Sequence, residues 1–336
     1  MSQTIKTGLL SYGTSGKIFH APFIDTHLNF ELTAVVERSV KKAHLDYPRV
    51  KSYDKVEDMI RDEKIELIIV NTPNSTHFDF ALQALKHGKH VLVEKAFTCT
   101  SIEAQQLFNE AQKRKLYVLP YQNRRYDGDF LSVKNILESG VLGQVVEVHL
   151  HFDRYRNTIS PKAKEKPGLG GGIQYDLGPH IIDAALALFG TPHRYTKTLG
   201  YFRPNTMVDD YAHFHLSYAD GKQVFVSTSM LVADPQPGFI IHGTKGSFVK
   251  PRVNVQEEQL LEGIKLTAPE YGYEEDFTAG QLTLINEDGA KTKQMIKAER
   301  GNYLKVFDDV YHTIKFDKPY PVSKDEIIKQ LEILES

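Results

Sequence analysis

The sequence IKTGLLSYGTSG, residues 5–16, decides the first half of the fold. Its first six residues form a short apolar pattern typical of a strand, and the glycine-containing turn after them leads into helical spacing from Lys17 to Thr26. A strand, a tight turn and a helix start are the opening of a dinucleotide-binding βαβ unit. The helix N-terminus behind such a turn offers N–H groups and the positive end of the helix dipole to a phosphate.

The turn is a degenerate form of the dinucleotide fingerprint. The three glycine positions of that fingerprint hold Ser11, Gly13 and Gly16, so the first position has less dihedral freedom than glycine would give it. Gly13 is the residue that lets the backbone approach a pyrophosphate. We expect the cofactor contacts of this turn to come from Ser11, Gly13, Thr14, Ser15 and Gly16.

A second predicted strand, Phe30 to Val36, ends in charged residues about 20 residues after the turn, where the adenosine ribose is recognised in this kind of unit. Glu37 could accept hydrogen bonds from a ribose 2'-OH, which favours NAD. Arg38, Ser39 and Lys41 could instead hold a 2'-phosphate, which favours NADP. The sequence leaves both cofactors open.

Strands and helices continue to alternate up to Pro120, which predicts a parallel, doubly wound sheet. The predicted elements are a strand at 65–70, a helix at 78–87, a strand at 90–93, a helix at 101–114 and a strand at 116–119.

Two strand exits in this part carry polar residues, and ligands of open parallel sheets lie outside the carboxyl ends of the strands. The first exit holds Asn71, Thr72 and Pro73, and His77 follows as either a ligand contact or a structural histidine. The second exit holds Glu94 and Lys95, which are either site residues or a surface ion pair.

The composition favours a small-molecule partner. The chain has 336 residues, Lys+Arg 41 against Asp+Glu 43 and a formal net charge of -2, so no strong field recruits nucleic acid or an anionic membrane. A single cysteine rules out a disulfide framework, and no apolar run has the length of a membrane span or signal core. We expect two domains in a soluble, cytoplasmic protein.

Residues 1–121 form the predicted nucleotide-binding domain, and the pattern changes in residues 122–336. A helix at 128–139, a strand at 144–152 and a meander of strands at 194–202, 211–218 and 223–230 predict an α+β domain with a large, mostly antiparallel open sheet. Its uncovered face is a natural place for subunits to meet, so we expect a homodimer or homotetramer. The glycine-rich segment at 168–172 is either a lid, a closely packed loop or a plain connection.

Histidines occur in two places in the second half. His213 and His215 share one sheet face, but no third ligand is evident, so a polar face is favoured over a metal site. Asp176 and His180 lie at the mouth of a helix whose first turn contains Pro179, and a four-residue spacing brings them to one side. A structural histidine is the alternative for His180.

Taken together, these motifs resemble the glucose-fructose oxidoreductase and inositol dehydrogenase (Gfo/Idh/MocA) family over nearly the whole chain. The resemblance implies an NAD(P)-dependent oxidoreductase whose catalytic centre is lined by Lys95, Asp176 and His180. The family usually has proline where this chain has Ala96. The residues that carry the resemblance are the 11–16 turn, Asn71-Thr72-Pro73 with His77, Glu94-Lys95, Asn123-Arg124-Arg125, Asp176, His180 and Asp183.

Within the family, three segments are most similar to the NADP-dependent scyllo-inositol dehydrogenase group, which moves the expectation slightly towards NADP. They are residues 19–22, 123–127 and 152–156. Further cofactor contacts are expected from the Asn71-to-Pro73 exit, His77, Glu94, Lys95, Asn123 and Arg124. Substrate contacts are expected from Lys95, Asn123, Arg154, Tyr155, Tyr175, Asp176 and His180.

The expected reaction interconverts a secondary alcohol of a sugar or cyclic polyol and its ketone. His180 would accept the hydroxyl proton, Asp176 would orient it, and Lys95 would stabilise the developing alkoxide. The alternatives are a non-catalytic NAD(P)-sensing regulator, an imine or tetrapyrrole reductase, and a redox-dependent glycosidase.

Overall fold

The computed structural model describes residues 4–336. The chain folds into two compact units. The first contains the chain up to Gln122 together with Leu260–Ala268 and Tyr303–Ile328. The second contains Asn123–Gln259, Pro269–Asn302 and Lys329–Ser336. Two segments from the last third of the sequence thus belong to the same unit as the N-terminal residues.

The first unit is built on a six-stranded parallel sheet. Its strands are β1 Ile5–Leu9, β2 Phe30–Val36, β3 Lys51–Tyr53, β4 Leu67–Val70, β5 His90–Val93 and β6 Val118–Pro120. They lie in the order β3-β2-β1-β4-β5-β6, the doubly wound order of dinucleotide-binding domains. The predicted parallel, doubly wound sheet is therefore confirmed. Strand β3 was not predicted, because it is a three-residue edge strand without buried residues.

Helices surround this sheet and flank the second one. They are α1 Ala21–Thr26, α2 Ala43–Asp46, α3 Val56–Ile60, α4 His77–Lys86, α5 Ser101–Arg114, α6 Gly128–Glu138, α7 Ile173–Asp176, α8 Gly178–Phe189, α9 Val255–Leu261, α10 Leu304–Phe316 and α11 Lys324–Glu335. The predicted helix at 101–114 matches α5, which begins with a capping box between Thr100 and Glu103. The predicted helix at 17–26 consists of a π-helical turn, Gly16–His20, followed by α1.

The core of the first unit is the sheet interior. All four residues of β4 are fully buried, as expected for a parallel strand covered on both faces by helices. This continuous burial leaves the strand ends as the places where polar groups can meet a ligand.

The second unit contains an eight-stranded sheet. Its strands are β7 Val145–His151, β8 Arg194–Gly200, β9 Tyr211–Ser217, β10 Gln223–Ser229, β11 Phe239–Gly243, β12 Gly246–Lys250, β13 Gly280–Ile285 and β14 Lys291–Ile296. The order is β14-β13-β12-β11-β7-β10-β9-β8, and only the β7–β10 pair among these strands is parallel. The predicted large, mostly antiparallel sheet is confirmed.

The two faces of this sheet differ in burial. Helix α8 packs on β7 and β10, and the residues on that face, such as Leu150, Phe214 and Val226, are fully buried. The alternate residues on the outer face, including His149 and Phe225, are half-buried. The sheet therefore has one face with a helix packed on it and one that is less covered within the second unit.

The glycine-rich segment is closely packed at its end, at Gly172, whereas Leu169 is exposed. The backbone N–H of Gly172 donates to the carbonyl oxygen of Lys164 at 2.8 Å, and its φ is 81°. A Cβ at Gly172 would lie 2.0 Å from Oδ1 of Asp209, so only glycine fits there. The buried guanidinium of Arg203 pairs with Glu165, just before this segment, at 2.7 Å and with Asp210 at 3.2 Å. These ion pairs anchor the loop to the second unit.

Candidate functional site

The nucleotide turn is held by side chains as well as by glycines. The Asn71 amide donates to the carbonyl oxygen of Ser11 at 2.8 Å and accepts from its N–H at 2.9 Å, which joins the ends of β1 and β4. The Ser11 hydroxyl accepts from the N–H of Gly13 at 3.2 Å, so serine supports this turn with its own side chain. A Cβ at Gly16 would lie 2.1 Å from the carbonyl oxygen of Ser11, so the close approach of the helix requires glycine.

A cleft of about 620 Å³ opens beside this turn, within the size range of cofactor pockets. The predicted cofactor residues Ser11, Gly13, Glu37, Arg38, Ser39, Asn71, Thr72 and Pro73 line it, together with Lys42 and apolar side chains. The glycine turn, the amide clamp and the cationic rim match the chemistry of a dinucleotide, so these residues fit NAD or NADP. The other predicted cofactor residues of this unit do not line the cleft; they are Thr14, Ser15, Gly16, His77, Glu94 and Lys95. Asn123 and Arg124 belong to the second unit.

The carboxylate of Glu37 is hydrogen-bonded to neighbouring groups of the protein. Its carboxylate accepts from the backbone N–H groups of Lys42 at 2.7 Å and Ala43 at 3.1 Å, and from the Ser52 hydroxyl at 2.8 Å. It therefore satisfies N–H groups at the start of α2. Lys41 donates to the carbonyl oxygen of Glu37 and pairs with Asp54 at 2.7 Å.

Glu94 is the centre of a buried cluster at the end of β5. Oε1 accepts from the Ser15 hydroxyl at 2.7 Å and lies 2.8 Å from Nε2 of His20, while Oε2 accepts from the N–H of Lys95 at 3.2 Å. Burial by itself raises the pKa of Glu94, but His20, Ser15 and the charge of Lys95 together lower it to about 2. Glu94 is thus a carboxylate that connects the nucleotide turn to the lysine at the strand exit.

His77 holds the backbone beside Lys95. Its Nδ1 lies 2.7 Å from the carbonyl oxygen of Ala96, and its Nε2 lies 2.8 Å from that of Thr72. Two carbonyl partners favour the doubly protonated ring, but burial is the larger effect and lowers the pKa of His77. Ala96, which stands where the family usually has proline, is fully buried, and its peptide bond to Lys95 is cis. The histidine bridges the exits of β4 and β5, which is the structural role left open by the sequence.

In the second unit, Asp176 ends α7 and His180 lies in the first turn of α8. Leu177 between the two helices keeps helical dihedrals, so the residues are about one helical turn apart. His180 is 8% exposed, and its ring centroid lies 6.0 Å from that of Phe152. The Asp176 carboxylate pairs with the ammonium group of Lys164, a residue that the sequence patterns did not single out. Tyr175 beside Asp176 is buried.

Arginines surround the Phe152 ring at the end of β7. The guanidinium carbons of Arg252, Arg124 and Arg154 lie 4.6, 4.9 and 5.4 Å from its centroid. Arg124 also bonds to Asn254 at 2.8 Å.

Carboxylates pair with arginines near this ring, and the remaining predicted residues differ in burial. Arg124 pairs with Asp127 at 3.2 Å and with Glu257 at 2.8 Å, while Arg125 makes a two-point pair with Asp183. Asn123 is buried and Tyr155 is 61% exposed.

The predicted residues are divided between the two units of the chain. Lys95, Glu94 and the nucleotide turn belong to the first unit, while Asn123, Arg124, Arg154, Asp176 and His180 belong to the second. His20 and Lys164 are the partners that sequence reasoning missed. The sequence did contain a signal for His20, because residues 19–22 are similar to the scyllo-inositol dehydrogenase group. That similarity did not indicate what His20 does.

Within the described part of the chain, no group of three or more His, Cys, Asp or Glu side chains is placed to hold a metal ion. None of the helices among residues 4–336 combines the length and apolar character needed to cross a membrane.

The fold and the cleft define an oxidoreductase with an NAD-binding Rossmann domain. Residues 5–122 match the model of the oxidoreductase family with an NAD-binding Rossmann fold, and residues 130–249 match that of the GFO/IDH/MocA C-terminal domain. The chain belongs to the Gfo/Idh/MocA family of oxidoreductases. The predicted family and the predicted NAD(P) cofactor are confirmed.

Relatives of full length support this assignment. The chain is 36% identical to the uncharacterized oxidoreductase YdgJ of Escherichia coli over 335 residues, covering 100% of this chain and 96% of YdgJ. It is 32% identical to the scyllo-inositol 2-dehydrogenase (NADP(+)) IolW of Bacillus subtilis, covering 99% of this chain and 92% of IolW. The structure of the Bacillus subtilis oxidoreductase yvaA superimposes with a TM-score of 0.95 at 31% identity, covering 100% of this chain and 95% of that chain.

Proposed function

We propose that the protein is an NAD(P)-dependent dehydrogenase that interconverts a secondary alcohol of a sugar or cyclic polyol, such as an inositol, and its ketone. The observation that carries the proposal is that Asp176 and His180 lie about one helical turn apart at the start of α8, in a chain whose nucleotide-binding unit places Lys95 two residues after strand β5. A proton acceptor and a positive charge are the two groups that alcohol oxidation needs. We assign cofactor binding to residues 1–121 and substrate binding and oligomerisation to residues 122–336.

In this mechanism His180 accepts the hydroxyl proton on a ring nitrogen, because histidine titrates nearest to neutral pH. In this proposal Asp176, whose carboxylate pairs with Lys164, orients the His180 ring. Lys95 stabilises the alkoxide that forms as the proton leaves. Bound NAD(P) supplies the hydride acceptor. Asn123, Arg154, Tyr155 and Tyr175 are the further hydrogen-bonding groups proposed for the hydroxyls of the polyol.

The proposed cofactor contacts all lie among residues 11–124, and only Asn123 and Arg124 of them belong to the second unit. They are Ser11, Gly13, Thr14, Ser15, Gly16, Glu37, Arg38, Ser39, Asn71, Thr72, Pro73, His77, Glu94, Lys95, Asn123 and Arg124. His77 acts in this set by holding the backbone of Thr72 and Ala96.

We infer that NADP is preferred over NAD. The Glu37 carboxylate accepts three hydrogen bonds from the protein, which leaves it less able to accept from a ribose 2'-OH. Arg38, Ser39 and Lys42 are exposed and line the same cleft, where a 2'-phosphate would meet two cations and a hydroxyl. The name of IolW, which specifies NADP(+), agrees with this preference.

We also propose that the protein is a homo-oligomer that assembles through the outer face of the eight-stranded sheet. Strands of five to seven residues in this sheet give a face of roughly 800 Å², from the standard rise per residue and the standard spacing between strands. A stable interface buries about 800 Å² on each partner. A second copy seated on this face would therefore bury an area sufficient for a dimer.

The test uses scyllo-inositol, myo-inositol and a panel of sugars with NAD and NADP in parallel, followed by the absorbance of the reduced cofactor. We expect Lys95→Met and His180→Gln each to lower kcat/KM by at least about 100-fold. The matched controls are Lys134→Met and His87→Gln at exposed positions, which should keep wild-type activity.

Wild-type turnover by both Lys95→Met and His180→Gln would contradict the assignment of the catalytic residues. Cofactor binding without turnover of any alcohol would favour the sensing regulator. Release of free sugar from a glycoside without net reduced cofactor would favour the redox-dependent glycosidase.

A further inference from the structure

His20 lies in the segment Phe19-His20-Ala21-Pro22, directly after the nucleotide turn. It is the last residue of the π-helical turn Gly16–His20, and its side chain is 0% exposed. Its Nε2 lies 2.8 Å from Oε1 of Glu94, whose side chain is 13% exposed. Single π-helical turns occur frequently at functional sites, because they change where a side chain points.

The direction of this hydrogen bond follows from its partner. Glu94 is a carboxylate that also accepts from the Ser15 hydroxyl at 2.7 Å and from the N–H of Lys95 at 3.2 Å. A carboxylate cannot donate, so the hydrogen is on Nε2 of His20. Glu94 is therefore fixed by three donors from three positions in the sequence.

Packing alone does not account for a histidine at this position. Its ring contacts that of Tyr121 at 4.6 Å between centroids and lies 6.4 Å from that of Phe307. Its Nδ1 is buried and has no hydrogen-bond partner among the described residues. An apolar side chain would fill this aromatic surrounding without an unsatisfied nitrogen, so the bond to Glu94 is the feature that requires an imidazole.

We propose that His20 is a positioning residue of the cofactor site, which holds the Glu94 carboxylate between Ser15 of the nucleotide turn and Lys95 at the strand exit. The inference rests on the proposed cofactor contacts but not on the proposed alcohol. His20 acts through Glu94, and its loss is expected to affect binding of the dinucleotide before it affects the alcohol.

The charged state of Glu94 provides a readout that a packing role would not change. The titratable groups around it are His20, Lys95 and His77, and Tyr121 packs on His20. Burial raises the pKa of Glu94, and His20 is one of the groups that oppose this effect. Without His20, Glu94 should take up a proton as the pH falls, and it would then no longer hold Ser15 and Lys95 as a carboxylate.

The test measures the Kd for NADPH by fluorescence titration of His20→Leu, His20→Asn and His20→Gln. Glutamine places its amide near the Nε2 position and should stay within about threefold of wild type, while leucine and asparagine should raise the Kd at least about tenfold. For the leucine and asparagine variants, the Kd should rise further between about pH 8 and about pH 5, and the wild-type Kd should not show this added rise.

The matched control is His27→Leu. His27 is a buried histidine in the same unit whose Nε2 also bonds a carboxylate, Asp308 at 2.9 Å, and it does not line the cofactor cleft. This variant should lose stability while keeping the wild-type Kd and its pH dependence.

Wild-type NADPH binding by His20→Asn at both pH values would overturn the inference, as would equal effects of His20→Leu and His27→Leu. If the leucine variant does not fold, the contrast between the asparagine and glutamine variants decides the question. Wild-type protein that binds NADPH but oxidises no alcohol would contradict the proposed function and leave the inference on His20 standing.

Discussion

At the scale of single residues, the carboxylate of Glu37 and the guanidinium of Arg38 explain the proposed preference for NADP over NAD. Glu37 accepts from two backbone N–H groups and a hydroxyl, while Arg38 is exposed at the rim of the cleft. We expect Arg38→Ala to raise the KM for NADP by about tenfold or more, because a charge-assisted bond to phosphate contributes about 1.5–3 kcal/mol. The KM for NAD should stay unchanged. Steady-state kinetics with both cofactors measures this difference.

Glu37→Gln is the companion variant. It should lower the free energy of unfolding by about 1–2 kcal/mol, because it weakens the bonds to the start of α2, and leave the ratio of NADP to NAD efficiency unchanged. An Arg38→Ala protein with an unchanged KM for NADP, or a Glu37→Gln protein that loses NAD turnover alone, would contradict this account of selectivity.

The individual residues at the strand exits were predictable, but their partners were not. Glu94 and Lys95 stand out in the sequence because charges directly follow an apolar strand. The bond between His20 and Glu94 joins residues 74 positions apart, and no local pattern encodes which histidine reaches which carboxylate. Lys164 was missed for a similar reason, since it lies in a polar loop, and only the folded loop brings it to Asp176.

At the scale of elements, the outer face of β7, β10 and β9 carries an aromatic row that suits self-association. Phe225 stacks against His149 at 5.1 Å and His215 at 4.6 Å between centroids. We expect Phe225→Asp to convert the proposed oligomer to a monomer, because a charge in the centre of an interface is costly to bury. Sedimentation velocity at matched protein concentrations measures the change.

The control for this variant is Phe277→Asp, since Phe277 is 84% exposed and lies outside the strands. It should sediment as wild type does. Monomeric wild-type protein, or an oligomer that survives Phe225→Asp, would show that the face is not the interface.

Long elements with a clear period were predicted closely, and short ones were missed. The strand Phe30–Val36 and the helix Ser101–Arg114 have the predicted bounds, because each combines periodic burial with a recognisable end. Helices α2 and α3 have four and five residues, too few to show a helical period. Tertiary contacts and bonds such as those of Glu37 decide where such elements form.

At the scale of the whole molecule, the sequence predicted both fold classes but not the path of the second sheet. Alternating strands and helices leave few topologies for the first unit, because βαβ crossovers are right-handed and short. In the second sheet, β7 lies between β11 and β10, which follow it much later in the sequence. Hydrophobic alternation predicts strands but not which distant strands pair. For the same reason, the sequence did not predict that residues 260–268 and 303–328 belong to the first unit.

We expect the hydride to leave the carbinol carbon of a polyol while Lys95 stabilises the developing alkoxide and His180 accepts the hydroxyl proton. The most direct measurement uses scyllo-inositol deuterated at its carbinol carbons, NADP and mass spectrometry of the reduced cofactor. We expect the reduced cofactor to carry deuterium, and we expect Lys95→Met and His180→Gln to form it far more slowly than the wild-type protein. Reduced cofactor without deuterium, or labelled cofactor formed at wild-type rates by both variants, would contradict it.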